Sequence, residues 1–80
     1  MRVLFFAQLK DVTGCAEMEL LPGPGTVDAA ALWRELLAAH PGLGTFRGAV
    51  RLARNGEYVG ADARFAEGDE VALIPPVSGG

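Results

Sequence analysis

Residues 2–7 (Arg-Val-Leu-Phe-Phe-Ala) and residues 70–74 (Glu-Val-Ala-Leu-Ile), near the two ends of the chain, decide the predicted fold. Each stretch is almost continuously apolar and rich in strand-forming residues. Such a run is typical of a strand that is covered on both faces in the middle of a sheet. We therefore expect the first and the last strand of this chain to lie side by side at the sheet centre.

A second strand is predicted at residues 15–20, where apolar and polar side chains alternate. It should form a hairpin with the strand at residues 2–7. The connection between them, residues 8–14, contains polar residues and ends on glycine, which predicts a turn or a single helical turn. Residues 42–48 are predicted to form a glycine-rich loop, and residues 60–65 a short irregular stretch.

One helix is predicted in the middle of the chain. Thr26 is expected to be its N-cap, and the helix should end at His40, because Pro41 disfavours helical geometry in the residue before it. At about 100° per residue, one face of this helix is apolar. That face consists of Ala29, Leu32, Trp33, Leu36 and Leu37.

A second hairpin is predicted around Asn55-Gly56, the dipeptide favoured in type I′ turns. Its strands are residues 50–54, which alternate in polarity, and residues 57–59. Arg51 and Arg54 on the first of these strands are predicted to be ordinary surface charges.

These elements follow one another in the order ββαβββ, which predicts an α+β fold. With the first and last strands adjacent, the chain forms a mixed sheet of about five strands packed on one main helix, the β-grasp arrangement. One helix covers only one face of such a sheet, so part of each central strand lies near the surface. Exposed apolar surface of this kind often marks a binding site. The candidates for a partner interface are Phe5, Phe6, Leu73 and Ile74. By the alternation along each strand they should divide between core and interface, but the sequence does not say which residue lies where.

The composition limits the classes of function. The chain has 80 residues, which predicts a single domain over residues 1–80. Seven Lys and Arg residues against ten Asp and Glu residues give a formal charge of −3, opposite to what nucleic-acid binding favours. One cysteine excludes an internal disulfide, and no apolar run approaches the ~20 residues of a membrane span. We expect a cytoplasmic protein without nucleic-acid or membrane partners and without a bound metal.

Residues 75–80 (Pro-Pro-Val-Ser-Gly-Gly) are predicted to form an extended C-terminal tail. Pro75 and Pro76 fix their φ angles and stiffen the exit from the last strand. The next four residues add ~13–14 Å when extended at ~3.3–3.6 Å each. Gly79 and Gly80 have no side chains, so this end can enter a narrow channel. The ionised terminal carboxylate can attack an activated phosphate.

Three stretches of the sequence resemble the small, sulfur-carrier subunits of molybdopterin synthase, the MoaD type, within the ubiquitin-like β-grasp family. They are residues 3–7, residues 55–59 and residues 68–80, and they occur in the same order as in that family. The Pro-Pro-Val-Ser-Gly-Gly ending is the most specific of the three. The helix and the central loop match the family only in pattern.

The resemblance implies a sulfur carrier for molybdenum cofactor biosynthesis that is not an enzyme on its own. An E1-like enzyme of the MoeB type would adenylate Gly80 with ATP, and a cysteine desulfurase or rhodanese-like protein would supply sulfur to give a thiocarboxylate. Pro75, Pro76, Val77, Ser78 and Gly79 would then enter the large, MoaE-type subunit in a heterotetramer. There the sulfur would pass to cyclic pyranopterin monophosphate. ATP is consumed and AMP is transient, so no permanently bound cofactor is expected, and the catalytic residues should lie on the large subunit.

Three alternatives remain open from the sequence. The same carrier chemistry could serve thiamine thiazole synthesis or tRNA thiolation. A ubiquitin-like modifier conjugated to lysines is a second alternative, although basic residues like those before Gly-Gly in ubiquitin are absent from this ending. A non-covalent β-grasp interaction module is the third, and it leaves the terminal Gly79-Gly80 unexplained.

The remaining chemically active side chains favour structural roles. Cys15 is a lone cysteine in a strand and is expected to be a small apolar filler. His40 is expected to cap or pack against the helix, since no second metal ligand accompanies it. Glu67, Asp69 and Glu70 are expected to form a solvated turn, or alternatively to face a basic patch on the activating enzyme.

Overall fold

A five-stranded mixed sheet dominates the structure, a computed structural model that describes residues 1–21 and 25–75. A separate two-stranded sheet and two α-helices accompany it. The elements in chain order are β1 (Arg2–Phe5), α1 (Gln8–Thr13), β2 (Glu17–Glu19), β3 (Thr26–Asp28), α2 (Ala29–Ala39), a 3-10 helix (Pro41–Thr45), β4 (Arg51–Arg54), β5 (Glu57–Val59), β6 (Arg64–Ala66) and β7 (Glu70–Ile74).

The two most apolar strands, β1 and β7, are adjacent in the sheet, as predicted. The strand order is β2-β1-β7-β4-β5. β1 and β7 are parallel, with Phe5 beside Leu73, and the other neighbouring pairs are antiparallel. The predicted α+β class and β-grasp arrangement are confirmed.

The core lies between one face of this sheet and helix α2. The two central strands alternate between buried and less buried residues, because successive strand side chains point to opposite faces. Burial of each large apolar side chain contributes roughly 1.5–3 kcal/mol. The largest fully buried side chains are Val3, Phe5, Leu9, Leu32, Leu36, Leu43, Phe65, Val71 and Leu73.

Helix α2 has the predicted apolar face, but its predicted start is wrong. Leu32, Trp33 and Leu36 are buried, whereas the N-cap is Asp28, whose carboxylate accepts a hydrogen bond from the Ala31 N–H at 2.8 Å. Thr26 lies in β3 instead. The pairing of β3 with β6 keeps the chain extended as far as Asp28, so the helix begins later.

The hairpin turn at Asn55-Gly56 is confirmed. Both residues have positive φ angles, 51° and 88°, as a type I′ turn requires. The Asn55 side chain also accepts a hydrogen bond from the Glu70 N–H at 2.9 Å and donates one to Asp69 at 3.1 Å. The turn is thereby attached to the beginning of β7.

Several connections are more ordered than the sequence predicts. Residues 8–13 form α1, which agrees with the helical alternative for that segment. Within the predicted glycine-rich loop, the 3-10 helix buries Leu43 completely, and within the predicted irregular stretch β6 buries Phe65. Conversely, β2 covers only Glu17–Glu19 of the strand predicted at residues 15–20. Among residues 1–21 and 25–75, no helix has the length and apolar character needed to cross a membrane.

Candidate functional site

One face of the sheet is turned away from α2 and carries apolar side chains that the core does not use. We call this surface the outer face. Strand register places Leu4, Ala72, Ala53 and Tyr58 in one row across β1, β7, β4 and β5. The residues of the outer face are Leu4, Phe6, Arg51, Ala53, Tyr58, Ala72 and Ile74.

The two aromatic residues of the outer face are its most exposed apolar groups. Phe6 is 45% exposed and Tyr58 is 57% exposed, while Ala53 between them is 6% exposed. Leu4, Ala72 and Ile74 are half-buried. Exposed aromatic side chains on an apolar surface are typical of protein–protein interfaces.

Arg51 lies between Tyr58, in the row of outer-face residues, and the end of β7. Its guanidinium carbon lies 4.3 Å from the centre of the Tyr58 ring, a cation–π contact. Arg51 is also the register partner of Ile74. The stacked pair therefore places a positive charge on the outer face beside the carboxyl end of β7.

Ion pairs border the outer face at its other end. Arg2 is hydrogen-bonded to Glu70, and its Nε lies 3.6 Å from Glu17 Oε2. The hydrogen bond to Glu70 is the main reason why the pKa of Arg2 is raised. Exposed ion pairs contribute little to stability, so the main effect of this cluster is to offset charge beside the apolar surface.

The carboxyl end of β7 differs from the prediction at Pro75. The chain was expected to project from residue 75 onward, but Pro75 is buried. Proline lacks the N–H that would extend the strand ladder, so the strand ends at Ile74 while the next residue still packs on the domain. Pro76, Val77, Ser78, Gly79 and Gly80 lie outside the described residues, and the roles predicted for them stay predictions.

The four interface candidates divide between the two faces of the sheet. Phe5 and Leu73 are 1% and 0% exposed and belong to the core, so the structure places these two on the core side of the expected division and not at the interface. Phe6, which directly follows β1, and Ile74, the last residue of β7, lie on the outer face. The period of two along a strand is the physical reason for the division.

The other candidates have the structural roles that their surroundings predict. Cys15 is half-buried, with Sγ 3.7 Å from the hydroxyl of Thr13. His40 is the C-cap of α2, and its ring meets the ring of Phe5 edge-on at 5.8 Å between centroids. Within residues 1–21 and 25–75, no group of three or more His, Cys, Asp or Glu side chains is arranged to hold a metal ion.

The acidic turn before β7 is structured by hydrogen bonds. Asp69 accepts hydrogen bonds from the Ala66 N–H at 2.8 Å and from the side chain of Asn55 at 3.1 Å. The hydrogen bond from the Ala66 N–H is the largest of the causes that lower the pKa of Asp69. Glu70 is engaged by Arg2, and Glu67 is exposed. Asp69 and Glu70 therefore have structural partners within the domain.

Sequence reasoning assigned no partner-facing role to Arg51, Ala53 and Tyr58. The alternation of side-chain direction along the strands of the second hairpin indicates which of its residues face outward. If Leu52 points into the core, its neighbours Arg51 and Ala53 must point outward, and Tyr58 lies opposite Ala53. The position of this hairpin in the sheet, and so the direction in which its outward residues face, is fixed only by the pairing of β4 with β7.

Comparison with known proteins gives matches along nearly the whole chain. The model of the ThiS family matches residues 3–80. The human molybdopterin synthase sulfur carrier subunit is 38% identical over 98% of this chain and 91% of its own length. Among solved structures, the small archaeal modifier protein 1 (SAMP1) of Haloferax volcanii has a TM-score of 0.83 and 32% identity, covering 99% of this chain and 97% of that one.

A further solved structure shows a related chain together with a partner. It is the complex of subunits 1 and 2 of the molybdopterin-converting factor from Helicobacter pylori. The matched chain has a TM-score of 0.69 and 26% identity, and the match covers 99% of this chain and 96% of that one.

Proposed function

The chain belongs to the ThiS family, and on that premise we propose that it is the sulfur-carrier subunit of a molybdopterin synthase. The observation that carries the proposal is the extent of the match. The family model reaches Gly80, and the human sulfur carrier subunit is similar over 98% of the chain. The similarity thus includes the end of the chain, where the chemistry is proposed to take place.

The proposed chemistry uses the terminal carboxylate of Gly80. An E1-like enzyme of the MoeB type binds ATP, and a carboxylate oxygen attacks its α-phosphate, releasing pyrophosphate. The terminal sulfur of a persulfide on a cysteine desulfurase or a rhodanese-like donor then attacks the Gly80 carbonyl carbon and displaces AMP, which is a far better leaving group than the original oxygen. A thiol then reduces the S–S bond of the resulting acyl disulfide and is itself oxidised to a disulfide. The product is a thiocarboxylate, a strong sulfur nucleophile.

The side chains on the outer face of this chain indicate which catalytic groups the large subunit has to supply. The side chains of the outer face are apolar apart from Arg51 and the Tyr58 hydroxyl, and the nearby Glu70 is engaged by Arg2. We therefore assign the catalytic acids, bases and phosphate-binding groups to the large, MoaE-type subunit. Residues 76–80 deliver the sulfur into that subunit, where cyclic pyranopterin monophosphate receives it.

The outer face is the proposed docking surface for the protein partners. Phe6 and Ile74 lie at the carboxyl ends of β1 and β7, so a partner that covers the outer face also covers the point where residues 76–80 begin. The Helicobacter pylori complex supports a partner of this kind, because its matched chain is bound to a second subunit. Aromatic and arginine side chains such as Phe6, Tyr58 and Arg51 often dominate binding energy at interfaces.

A ubiquitin-like protein modifier is the second candidate function. The likeness to SAMP1 at a TM-score of 0.83 favours it, since that protein is named a modifier. The two functions share activation of Gly80 and differ in the acceptor, which is sulfur for the carrier and a lysine amine for the modifier.

Reconstitution with candidate partners tests the proposal. The chain is incubated with an E1-like enzyme, ATP, a sulfur donor, a large synthase subunit and cyclic pyranopterin monophosphate. Formation of the dithiolene product supports the molybdopterin assignment. Sulfur transfer only to a thiazole synthase or to a tRNA-thiolating enzyme would move the carrier to another pathway. Gly80-linked lysine conjugates without sulfur transfer would favour the modifier.

A further inference from the structure

Arg51 is the one residue of the outer face that carries a charge. It is exposed, and its guanidinium carbon lies 4.3 Å from the centre of the Tyr58 ring. Strand register places it beside Ile74, the last residue of β7. The cation therefore lies within the apolar surface that is proposed to bind the protein partner, and its position there is supported by the stacked ring.

The two arginines at opposite ends of the outer face differ in their partners. Arg2 has the carboxylates of Glu17 and Glu70 beside it. Among the residues that the structure describes, no carboxylate oxygen lies within 4.0 Å of the Arg51 guanidinium. The charge of Arg2 is thus offset within the chain, whereas that of Arg51 is directed at whatever covers the outer face.

A groove beside Arg51 provides space for a side chain of the partner. It lies where β4 begins and β5 ends, at the end of the hairpin away from Asn55-Gly56. Its lining consists of Val50, Arg51, Leu52, Val59, Gly60 and Ala61. Arg51 is the one charged residue of this lining. An acidic side chain that enters the groove would therefore meet the guanidinium without repulsion from a carboxylate of the lining.

Docking of a partner on the outer face removes water from Arg51. A guanidinium that loses water and gains no anion is strongly unfavourable, whereas an arginine–carboxylate pair with two parallel hydrogen bonds is among the strongest polar contacts in proteins. We propose that Arg51 is a specificity-determining residue of this carrier. It selects a large subunit that presents an aspartate or glutamate carboxylate to its guanidinium. This role rests on the proposed function, because that function makes the large subunit the occupant of the outer face.

Arg51 and the aromatic residues of the outer face would have different tasks in recognition. Phe6 and Tyr58 can bind any large subunit that has a complementary apolar surface. Arg51 distinguishes among such subunits, because an apolar side chain at the facing position leaves the guanidinium buried without a partner, and a basic one repels it. The carboxylate requirement therefore gives specificity to a surface that is otherwise apolar.

The test measures the affinity of full-length variants for the large subunit of the same organism by calorimetric titration. Arg51→Leu keeps an apolar side chain on the outer face and removes the charge. It should weaken binding at least about 30-fold, because the carboxylate of the partner is left buried without a cation. Arg51→Lys keeps the charge but not the planar fork, and it should weaken binding about 3–10-fold. Arg51 is exposed, so both variants should keep the fold.

A charge exchange makes the test specific for a carboxylate. Arg51→Glu should weaken binding at least about 100-fold, because two carboxylates then face each other. Each acidic residue of the large subunit is replaced in turn by arginine, and one of these replacements should restore at least about tenfold in affinity for Arg51→Glu. Arg34→Glu is the matched control. It makes the same change of charge on the exposed side of α2 and should alter the affinity less than about twofold.

The outcomes separate the role of Arg51 from the proposed function. Weaker binding of Arg51→Leu, together with rescue of Arg51→Glu by one position of the large subunit, supports this role. Unchanged affinity of Arg51→Leu, an equal loss with Arg34→Glu, or rescue at no acidic position overturns it, while binding of the wild-type chain leaves the proposed function intact. A wild-type chain that does not bind the large subunit contradicts both.

Discussion

Arg51 and Tyr58 are stacked across the β4–β5 hairpin, with the guanidinium carbon 4.3 Å from the centre of the ring. Arg51 is also the register partner of Ile74, the last residue of β7. The pair therefore lies beside the end of β7, the strand that precedes the residues proposed to carry the chemistry.

Removing the Tyr58 ring should weaken binding of the large subunit more than it weakens the fold. Tyr58 is 57% exposed, so Tyr58→Ala should change the free energy of unfolding by less than about 0.5–1 kcal/mol. Binding should lose about 1–2 kcal/mol if the ring is an interface anchor. Tyr58→Phe is the matched control, because it keeps the ring for Arg51. Calorimetric titration measures both variants, and equal affinity of Tyr58→Ala and the wild type would remove Tyr58 from the docking surface.

A charge at Phe6 should weaken docking strongly, while a charge at another exposed apolar residue should not. Phe6 lies on the outer face and is 45% exposed, whereas Leu21 is 85% exposed and follows β2 beyond Glu19. Phe6→Asp should weaken the complex at least about 30-fold, roughly 2 kcal/mol. Leu21→Asp should leave the affinity unchanged. Similar losses for both variants in the same pull-down or titration would argue against the outer face as the specific surface.

The two central strands show what sequence alone can predict here. Their apolar runs predicted the adjacent placement of β1 and β7, and the Asn55-Gly56 dipeptide predicted its hairpin, because these signals are local. The split of Phe5 from Phe6 and of Leu73 from Ile74 needed the position of α2, which fixes which face is core. β6 and the burial of Leu43 depend on contacts with segments distant in sequence.

The backbone at Ala7 should be strained, and glycine should relieve the strain. Ala7 has φ 52° and ψ −130°, a combination that residues with a Cβ rarely adopt. Such a residue costs ~1–3 kcal/mol, whereas glycine costs ~0.5–1 kcal/mol in unfolded-chain entropy. Ala7→Gly should therefore raise the free energy of unfolding by about 1 kcal/mol.

A second glycine substitution provides the control for Ala7. Ala38→Gly on the exposed side of α2 should lower the stability by ~0.5–1 kcal/mol, because helical glycine is entropically unfavourable. Denaturant unfolding followed by the fluorescence of Trp33, the single tryptophan, measures both changes. Destabilisation by Ala7→Gly would mean that the Ala7 conformation carries no strain.

The stability contributed by Asp69 should disappear at low pH. Hydrogen bonds from Ala66 and Asn55 lower the pKa of Asp69 below its ordinary value of 3.8. As the pH falls, the unfolded chain therefore binds a proton at the Asp69 carboxylate before the folded chain does. The stability that Asp69 contributes is fully present above the ordinary pKa, and it is lost as the pH falls through the lower pKa of the folded protein. Asp69→Asn should be less stable than the wild type near neutral pH.

The difference in stability between Asp69→Asn and the wild type should shrink on acidification. Protonated Asp69 no longer accepts its hydrogen bonds as a charged carboxylate, so it loses its advantage over asparagine. Thermal unfolding near pH 7 and at about pH 2.5 gives this comparison. A difference that stays constant between the two conditions would show that the Asp69 charge does not stabilise the fold.

Intact-mass spectrometry of the chain tests the central claim most directly. The sample is taken after reaction with an E1-like enzyme, ATP and a sulfur donor, and a variant lacking Gly79 and Gly80 is the matched control. We predict that sulfur replaces one terminal oxygen in the full chain, while the shortened chain keeps its fold by Trp33 fluorescence and gains no sulfur. A full chain whose Gly80 is neither adenylated nor converted to a thiocarboxylate would contradict the sulfur-carrier account.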